Sequence, residues 1–466
     1  MPTDTAEALA ALAAALPKGV LTPGPAVEPR YRHDWSDQDP TEPLALLRPR
    51  STAEVAAALA ACNRLGVAVV PQGGLTGLAG GAHPIAGAVV LSLERMNGVE
   101  AVDEVGSTMT VMAGTPLAAV QAAAEAVGLQ YPVDLGARGS CTIGGNLSTN
   151  AGGVRVIRYG MTRENVLGVE FVLADGTIVD ALNTMLKNNA GYDLKQLLIG
   201  AEGTLGIVTR AVLRLQPKPA RVATALCALP GFPAMTELLK SLRGRLGPAL
   251  TVFEGMWPCY YDFMADRLGT VRKPFGRTHG AYVLVEASGF AEDDVQARLE
   301  AALSGLIEAG TVEDVVVAAS ERDVRDLWAV REGVSEYGRI LGRIIGYDLG
   351  VPIGAMGALV EALHRDIEAR WPDARVLCYG HVGDGNLHVV VNVPSAGGHQ
   401  PHDEMDVVVF AATRGFGGTI SAEHGIGTLK RPYLPLARSD AAIAVMRRVK
   451  AALDPAGILN PGKVLP

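Results

Sequence analysis

Two short segments carry the residues with the most chemistry in this chain. The first is Gly380-His381-Val382-Gly383-Asp384-Gly385-Asn386-Leu387-His388 and the second is Ser421-Ala422-Glu423-His424-Gly425. The two imidazoles of His381 and His388 and the carboxylate of Glu423 make a three-ligand set for a divalent ion. Such N/O donors suit Zn²⁺ best, with Mn²⁺, Fe²⁺ or Co²⁺ as other occupants. His424 is then a base fixed beside the carboxylate by sequence. A metal with an open position next to a spare base is a catalytic arrangement. His381 and His388 fit a hairpin whose turn is Gly-Asp-Gly-Asn, which makes Asp384 a turn residue. Taken alone, these residues leave the reaction open.

Three glycine-rich segments precede them. Pro71-Gln72-Gly73-Gly74-Leu75-Thr76-Gly77-Leu78-Ala79-Gly80-Gly81-Ala82 directly follows an apolar strand pattern. Consecutive glycines let a backbone aim its N–H groups at one anion, and Thr76 adds a hydroxyl. A loop can hold a diphosphate in this way without cationic side chains. A plain cluster of turns is the competing reading. The spacing is neither a P-loop nor the G-x-G-x-x-G of a Rossmann turn, so a tightly bound NAD is not expected. The second segment runs from Asp134 to Gly153 and is rich in small, hydroxyl and amide side chains. It reads as too polar and flexible for core and suited to a groove that hydrogen-bonds a large polar cofactor. The third is Gly200-Ala201-Glu202-Gly203-Thr204-Leu205-Gly206-Ile207, in which Glu202 either binds a ribose or caps a turn.

The elements that must position these loops alternate in type. Thr52–Leu65 and Leu117–Val127 read as helices; Val67–Val70, Ala88–Leu93, Met109–Ala113, Val166–Leu173 and Ile207–Leu215 read as strands. Pro217-Lys218-Pro219 marks a domain boundary. Beyond it, strands at Ala223–Leu229, Ala281–Ala287, Val315–Ala318 and His388–Val393 alternate with helices at Pro233–Leu246, Asp293–Glu308 and Ile353–Ala369. A helix at Ala441–Leu453 precedes the final Asn460-Pro461-Gly462-Lys463. The Ala8–Leu16 stretch lacks a basic flank and reads as a surface helix rather than a leader.

A length of 466 residues calls for two or three domains. A formal charge of −8 gives no electrostatic reason to bind nucleic acid or an anionic membrane. No apolar run approaches the ~20 residues of a membrane span. The five cysteines, scattered and odd in number, point to a reducing compartment, and a cytoplasmic location with or without peripheral membrane contact is expected.

The glycine loops, in this order and spacing, resemble the flavin domain of the vanillyl-alcohol oxidase and p-cresol methylhydroxylase superfamily. With the His-x6-His and Glu-His segments added, the chain from about residue 40 to 466 is similar to the FAD-linked D-2-hydroxyacid dehydrogenases. That group includes D-lactate dehydrogenases, D-2-hydroxyglutarate dehydrogenases and the flavin subunit of glycolate oxidase. The resemblance implies an α+β protein in three parts. These are a p-cresol methylhydroxylase-type FAD-binding domain (1–216), a ferredoxin-like α+β substrate domain with a metal site (217–421), and a helical C-terminal segment returning to the flavin domain (422–466). It implies that Gly73, Gly74, Thr76 and Gly77 hold the FAD diphosphate. Ser140, Gly144, Gly145, Asn146, Thr149, Gly153, Glu202, Ile207 and Asn460 would line the rest of the cofactor. Relatives that attach FAD covalently use a histidine in the first loop; residues 71–82 contain none and His83 lies beyond the glycines, so non-covalent FAD is expected.

The implied reaction is oxidation of a D-2-hydroxy acid to the 2-oxo acid by hydride transfer to flavin N5. The metal held by His381, His388 and Glu423 acidifies the substrate hydroxyl, and His424 removes its proton. Arg331 corresponds to the residue that clamps the substrate carboxylate; a surface ion pair with Glu332 or Asp326 is the alternative. Ser335, one helical turn on, is expected to face the same way. Relatives that take 2-hydroxyglutarate tend to carry a lysine where this chain has Gly346, and a polar residue where it has Val390. Arg343 is close in sequence but would point to the other face of a strand. A D-lactate-like or longer apolar substrate is therefore favoured, with D-2-hydroxyglutarate as the alternative. A metal-independent flavoprotein oxidase or alkyl-transfer enzyme of the same fold would not require the three ligands together, and an electron-transfer subunit would need neither them nor Arg331. The electron acceptor is open between quinone, cytochrome and electron-transfer flavoprotein, and a homodimer is the commonest assembly.

Overall fold

Ser51 accepts a hydrogen bond from the Glu54 amide and starts the helix Thr52–Leu65, which Gly66 ends in the left-handed conformation (φ 65°). Its buried face (Val55, Ala58, Leu59, Ala61, Cys62) joins an apolar core with Val69, Val89 and Leu91. The structure is a computed structural model describing residues 5–269 and 273–466. The chain divides into two units. One comprises Met1–Gly153, Gly160–Lys218 and Glu423–Pro466; the other comprises Val154–Tyr159 and Pro219–Ala422.

The first unit holds a four-stranded sheet in the order Leu21–Pro23, Ala45–Leu47, Val89–Ser92, Val69–Gln72, parallel except at its first pair. A five-stranded antiparallel sheet follows the order Val99–Asp103, Thr108–Met112, Ile207–Arg214, Val166–Val172, Ile178–Ala181. The second glycine segment departs from the expectation of a flexible polar stretch. Residues Ile143–Thr149 form a helix capped by Thr142, and Ile143 and Leu147 are fully buried. A pair of apolar residues four apart is enough to dock one turn when its start is capped.

The second unit is built on one seven-stranded sheet. Its first half runs strand Arg221–Leu229, helix Phe232–Leu246, strand Leu250–Met256, strand Ala281–Gly289, helix Val295–Glu308, strand Asp314–Val317. The spatial order of those strands is fourth, first, third, second, the ferredoxin-like arrangement. Arg375–Gly380, Asn386–Asn392 and Ile345–Gly350 extend the sheet beyond Leu250–Met256, every pair antiparallel. Among the described residues, no helix is long and apolar enough to cross a membrane.

Candidate active site

The strands Arg375–Gly380 and Asn386–Asn392 form the expected hairpin, with Tyr379 opposite His388 and Asp384 in the turn between. Gly380 is required at its end, because a Cβ there would lie 2.4 Å from the Asn386 carbonyl oxygen. The His381 and His388 rings stand edge to face with centroids 5.2 Å apart. Each Nδ1 faces a buried carboxylate of the same sheet. Glu254 Oε1 lies 2.5 Å from His381 Nδ1, and Asp348 Oδ1 lies 4.0 Å from His388 Nδ1. At His381 the carboxylate on Nδ1 fixes the tautomer and leaves Nε2 with its lone pair, which is how metal-binding histidines are oriented; at His388 the longer separation makes the carboxylate an electrostatic neighbour. Asp348 is itself held by Asn386 Nδ2 (2.7 Å) and by the amide of Ala422 (3.1 Å).

Glu254 has a second partner. Its Oε2 accepts from Arg331 Nε at 2.6 Å, and the guanidinium lies over the Tyr379 ring, 4.8 Å from the centroid. Burial opposes ionisation of Glu254, but His381 and Arg331 together hold its pKa down to about 2. Arg331 is 8% exposed. It is thus neither a surface residue nor a partner of Glu332 or Asp326; it is tied through one carboxylate to His381. The Tyr260 hydroxyl, bonded to the Val330 carbonyl (2.9 Å), anchors the helix end that delivers it. Ser335 does not follow it inward. The helix ends at Glu332, a tighter turn spans Gly333–Glu336, and Ser335 is exposed.

Gly346 and Val390 are direct partners across two strands of this sheet and so share a face. Val390 belongs to an apolar cluster with Tyr260, Tyr337 and Tyr379, while Gly346 is exposed with open space where a Cβ would be. Arg343 precedes the strand, which begins at Ile345, so the expected alternation does not govern its direction.

In the first unit, Glu423 Oε1 accepts from the Gly153 amide at 2.7 Å, and His424 is half-buried beside it in sequence. The first two glycine segments lie against each other. A Cβ on Gly74 would stand 2.0 Å from the Ser140 carbonyl oxygen, and one on Gly73 would stand 2.5 Å from Thr142 Oγ1. Gly77 and Thr76 continue the first segment; Gly144 and Gly145 sit in the first turn of the capped helix, and Thr149 returns its hydroxyl to the Gly145 carbonyl (3.3 Å). Among the described residues, Asn146 Nδ2 and Asn460 Oδ1 are buried polar atoms with no hydrogen-bond partner. A close-packed glycine cradle with orphaned amide groups fits a polar cofactor such as FAD.

Two expectations change here. The Glu202 carboxylate is used by the backbone amides of Ile426 (2.7 Å) and Gly427 (2.8 Å), so it caps a turn rather than a ribose. Ile207 is 2% exposed within the apolar core, not lining a groove. Asn460 does return to the flavin loops, with Nδ2 bonded to the carbonyls of Gly81 (3.0 Å) and Glu202 (2.8 Å). Sequence reasoning alone does not single out Glu254 and Asp348 as site residues. Their one sequence signal is an acidic residue inside an otherwise apolar strand pattern.

Residues 218–464 match the family described as FAD linked oxidases, C-terminal domain, and residues 43–182 match the FAD binding domain. A D-2-hydroxyglutarate dehydrogenase from Xanthomonas citri pv. viticola is 42% identical over 97% of this chain and 95% of its own length. The mitochondrial D-2-hydroxyglutarate dehydrogenase of Bos taurus is 40% identical over 98% of this chain and 83% of its own. Among solved structures, p-cresol methylhydroxylase aligns with a TM-score of 0.78 at 14% identity, covering 98% of this chain and 96% of that one. An alkyldihydroxyacetonephosphate synthase aligns at 0.76 and 18%, covering 99% and 86%. At those identities the structural likeness speaks for the fold alone.

Proposed function

The chain belongs to the FAD-linked oxidases and is an FAD-dependent dehydrogenase of D-2-hydroxy acids; from that premise we propose that it works with a divalent metal on a substrate whose side chain carries no second carboxylate. The observation that carries the metal reading is the His381 imidazole oriented by Glu254, with the His388 ring 5.2 Å away across the hairpin. Glu423 completes the set. Zn²⁺ suits these donors best.

Arg331 binds the C1 carboxylate of the substrate. Its orientation is set by Glu254, which also aims His381, so one buried acid aligns the anion site with the metal site. His424 accepts the proton of the C2 hydroxyl. His381, His388 and Glu423 would hold the divalent ion, which would supply the Lewis acidity that makes this proton removable near neutral pH. Bound FAD would supply the hydride-accepting chemistry that converts the 2-hydroxy acid to the 2-oxo acid. FAD is held without a covalent bond: His83, the histidine nearest the first loop, is buried, with Nε2 3.2 Å from Thr41 Oγ1.

Gly346 and Val390 support an apolar or small side chain at C2, since neither can pair a distal carboxylate. A second reading, D-2-hydroxyglutarate, is favoured by the names of the relatives and by Arg343, which lies outside the strand. Anaerobic flavin reduction by D- and L-2-hydroxy acids, with and without a distal carboxylate, separates the two. We expect D-monocarboxylates to give the higher kcat/KM; a clear preference for D-2-hydroxyglutarate would install the second reading. Chelation should abolish turnover and added Zn²⁺ restore it, whereas full activity after exhaustive metal removal would refute the metal.

A further inference from the structure

Away from these residues, three other side chains of the second unit converge. Cys259 is the second residue of the helix Pro258–Leu268, Cys378 lies in the strand Arg375–Gly380, and His364 lies in the helix Met356–Arg370. Their sulfur and ring-nitrogen atoms all lie within 4.8 Å of one another. The remaining cysteines, Cys62, Cys141 and Cys227, are buried elsewhere. Along the strand, Cys378 alternates with Tyr379, which faces His388, so the sulfur projects from the opposite face of the sheet.

We propose that Cys259, His364 and Cys378 form a second metal site, selective for Zn²⁺ or another thiophilic divalent ion. Three features go beyond a chance meeting of thiols. First, the placement is rigid. The Trp257 amide donates to the Cys378 carbonyl (3.1 Å), which fixes the helix start to the strand. Second, His364 Nδ1 is 3.1 Å from Glu368 Oε1, one turn along the same helix. That carboxylate sets the tautomer and leaves Nε2 for the sulfurs, the same outer support that Glu254 gives His381. Third, the donor set is complete for a three-ligand centre and has an entrance. Cys259 is half-buried and the His364 side chain is 28% exposed, which leaves a fourth position for solvent.

Two thiolates and an imidazole are softer donors than two imidazoles and a carboxylate, so the two sites differ in what they prefer. Binding converts both thiols to thiolates and releases their protons to solvent. The ion then joins two helices to the strand Arg375–Gly380, which leads into His381. That is a structural or regulatory clamp, and it does not depend on the substrate proposed above.

The test uses the full-length, flavin-loaded protein, stripped of metal and titrated with Zn²⁺ alone. Zinc X-ray absorption should reveal sulfur neighbours at about 2.3 Å, and these should persist in His388→Ala. Cys259→Ser should lower the number of sulfur neighbours and weaken zinc binding; His364→Gln should weaken it also; Glu368→Gln should weaken it by about 10–100-fold. Flavin content should be unchanged throughout. If Cys259→Ser does not fold, His364→Gln reads the same site. Only nitrogen and oxygen neighbours around bound zinc, or zinc affinity unaltered in His364→Gln, would overturn the proposal. A Cys259–Cys378 disulfide that excludes zinc under reducing buffer would also overturn it.

Discussion

Glu254 shows how much one buried carboxylate can organise. It sits at 0% exposure between a guanidinium and an imidazole, and both neighbours stabilise its ionised form. Removing only its charge leaves Arg331 and His381 without their common partner. Glu254→Gln is expected to lower metal affinity by about 10–100-fold while flavin stays bound, read by metal titration beside the flavin spectrum. Glu254→Ala should cost about 3–5 kcal/mol of stability in urea unfolding, because Arg331 becomes an uncompensated buried cation. His424→Ala tests the proton acceptor. The rate of anaerobic flavin reduction should fall by about 10²–10⁴-fold with FAD content unchanged, and an unaltered rate would remove His424 from that role. Lys463 gives the pH dependence at this scale. Its ammonium donates to the His83 carbonyl (2.9 Å) and Thr428 Oγ1 (2.7 Å), yet burial lowers its pKa from 10.5 to about 8. Between those values the unfolded chain binds the extra proton, so stability contributed by this group rises with pH. Lys463→Met should flatten the urea midpoint over that window relative to the unsubstituted protein.

At the scale of elements, segments with a strong period or a cap were legible in the sequence. Ser51 and Gly66 bound the helix Thr52–Leu65 where the pattern placed it. The strand Leu250–Met256 was not read, although it carries Glu254. Buried on both faces, it shows no apolar–polar alternation that would mark a strand. The helix Ile143–Thr149 was hidden for a different reason. Glycine, serine and threonine argue for a loop, and what makes it helical is the Thr142 cap and docking of Ile143 and Leu147. The hairpin that brings His381 and His388 together was legible because their spacing encodes it, whereas the inward turn of Arg331 depends on a partner 77 residues away. The glycine cradle leads to a sharp expectation. Gly74→Ala places a methyl group 2.0 Å from the Ser140 carbonyl oxygen, so the two segments must separate. The purified variant should have lost most of its flavin absorbance; a full complement of FAD would mean that the loops can yield.

At the scale of the whole molecule, the first unit is assembled from three stretches of chain, and its last stretch arrives only after residue 422. The tail supplies backbone and core alike. Val69 donates to the Ile458 carbonyl (2.8 Å) and accepts from the Asn460 amide (2.8 Å), which adds the tail to the edge of the parallel sheet. Ile458 and Leu459 are buried in the same core as Val69 and Leu91. Losing two such side chains forfeits about 3–6 kcal/mol of apolar burial, comparable to the net stability of a domain. It also frees the Gly81 and Glu202 carbonyls that Asn460 holds, one in each of two glycine segments. The sequence likeness to an FAD-binding domain ends at residue 182, yet residues 1–218 alone should therefore not bind flavin. Expressed as a fragment, they should purify without FAD absorbance and melt below the full-length protein. A fragment that retains stoichiometric FAD would show that the tail is dispensable to the cradle.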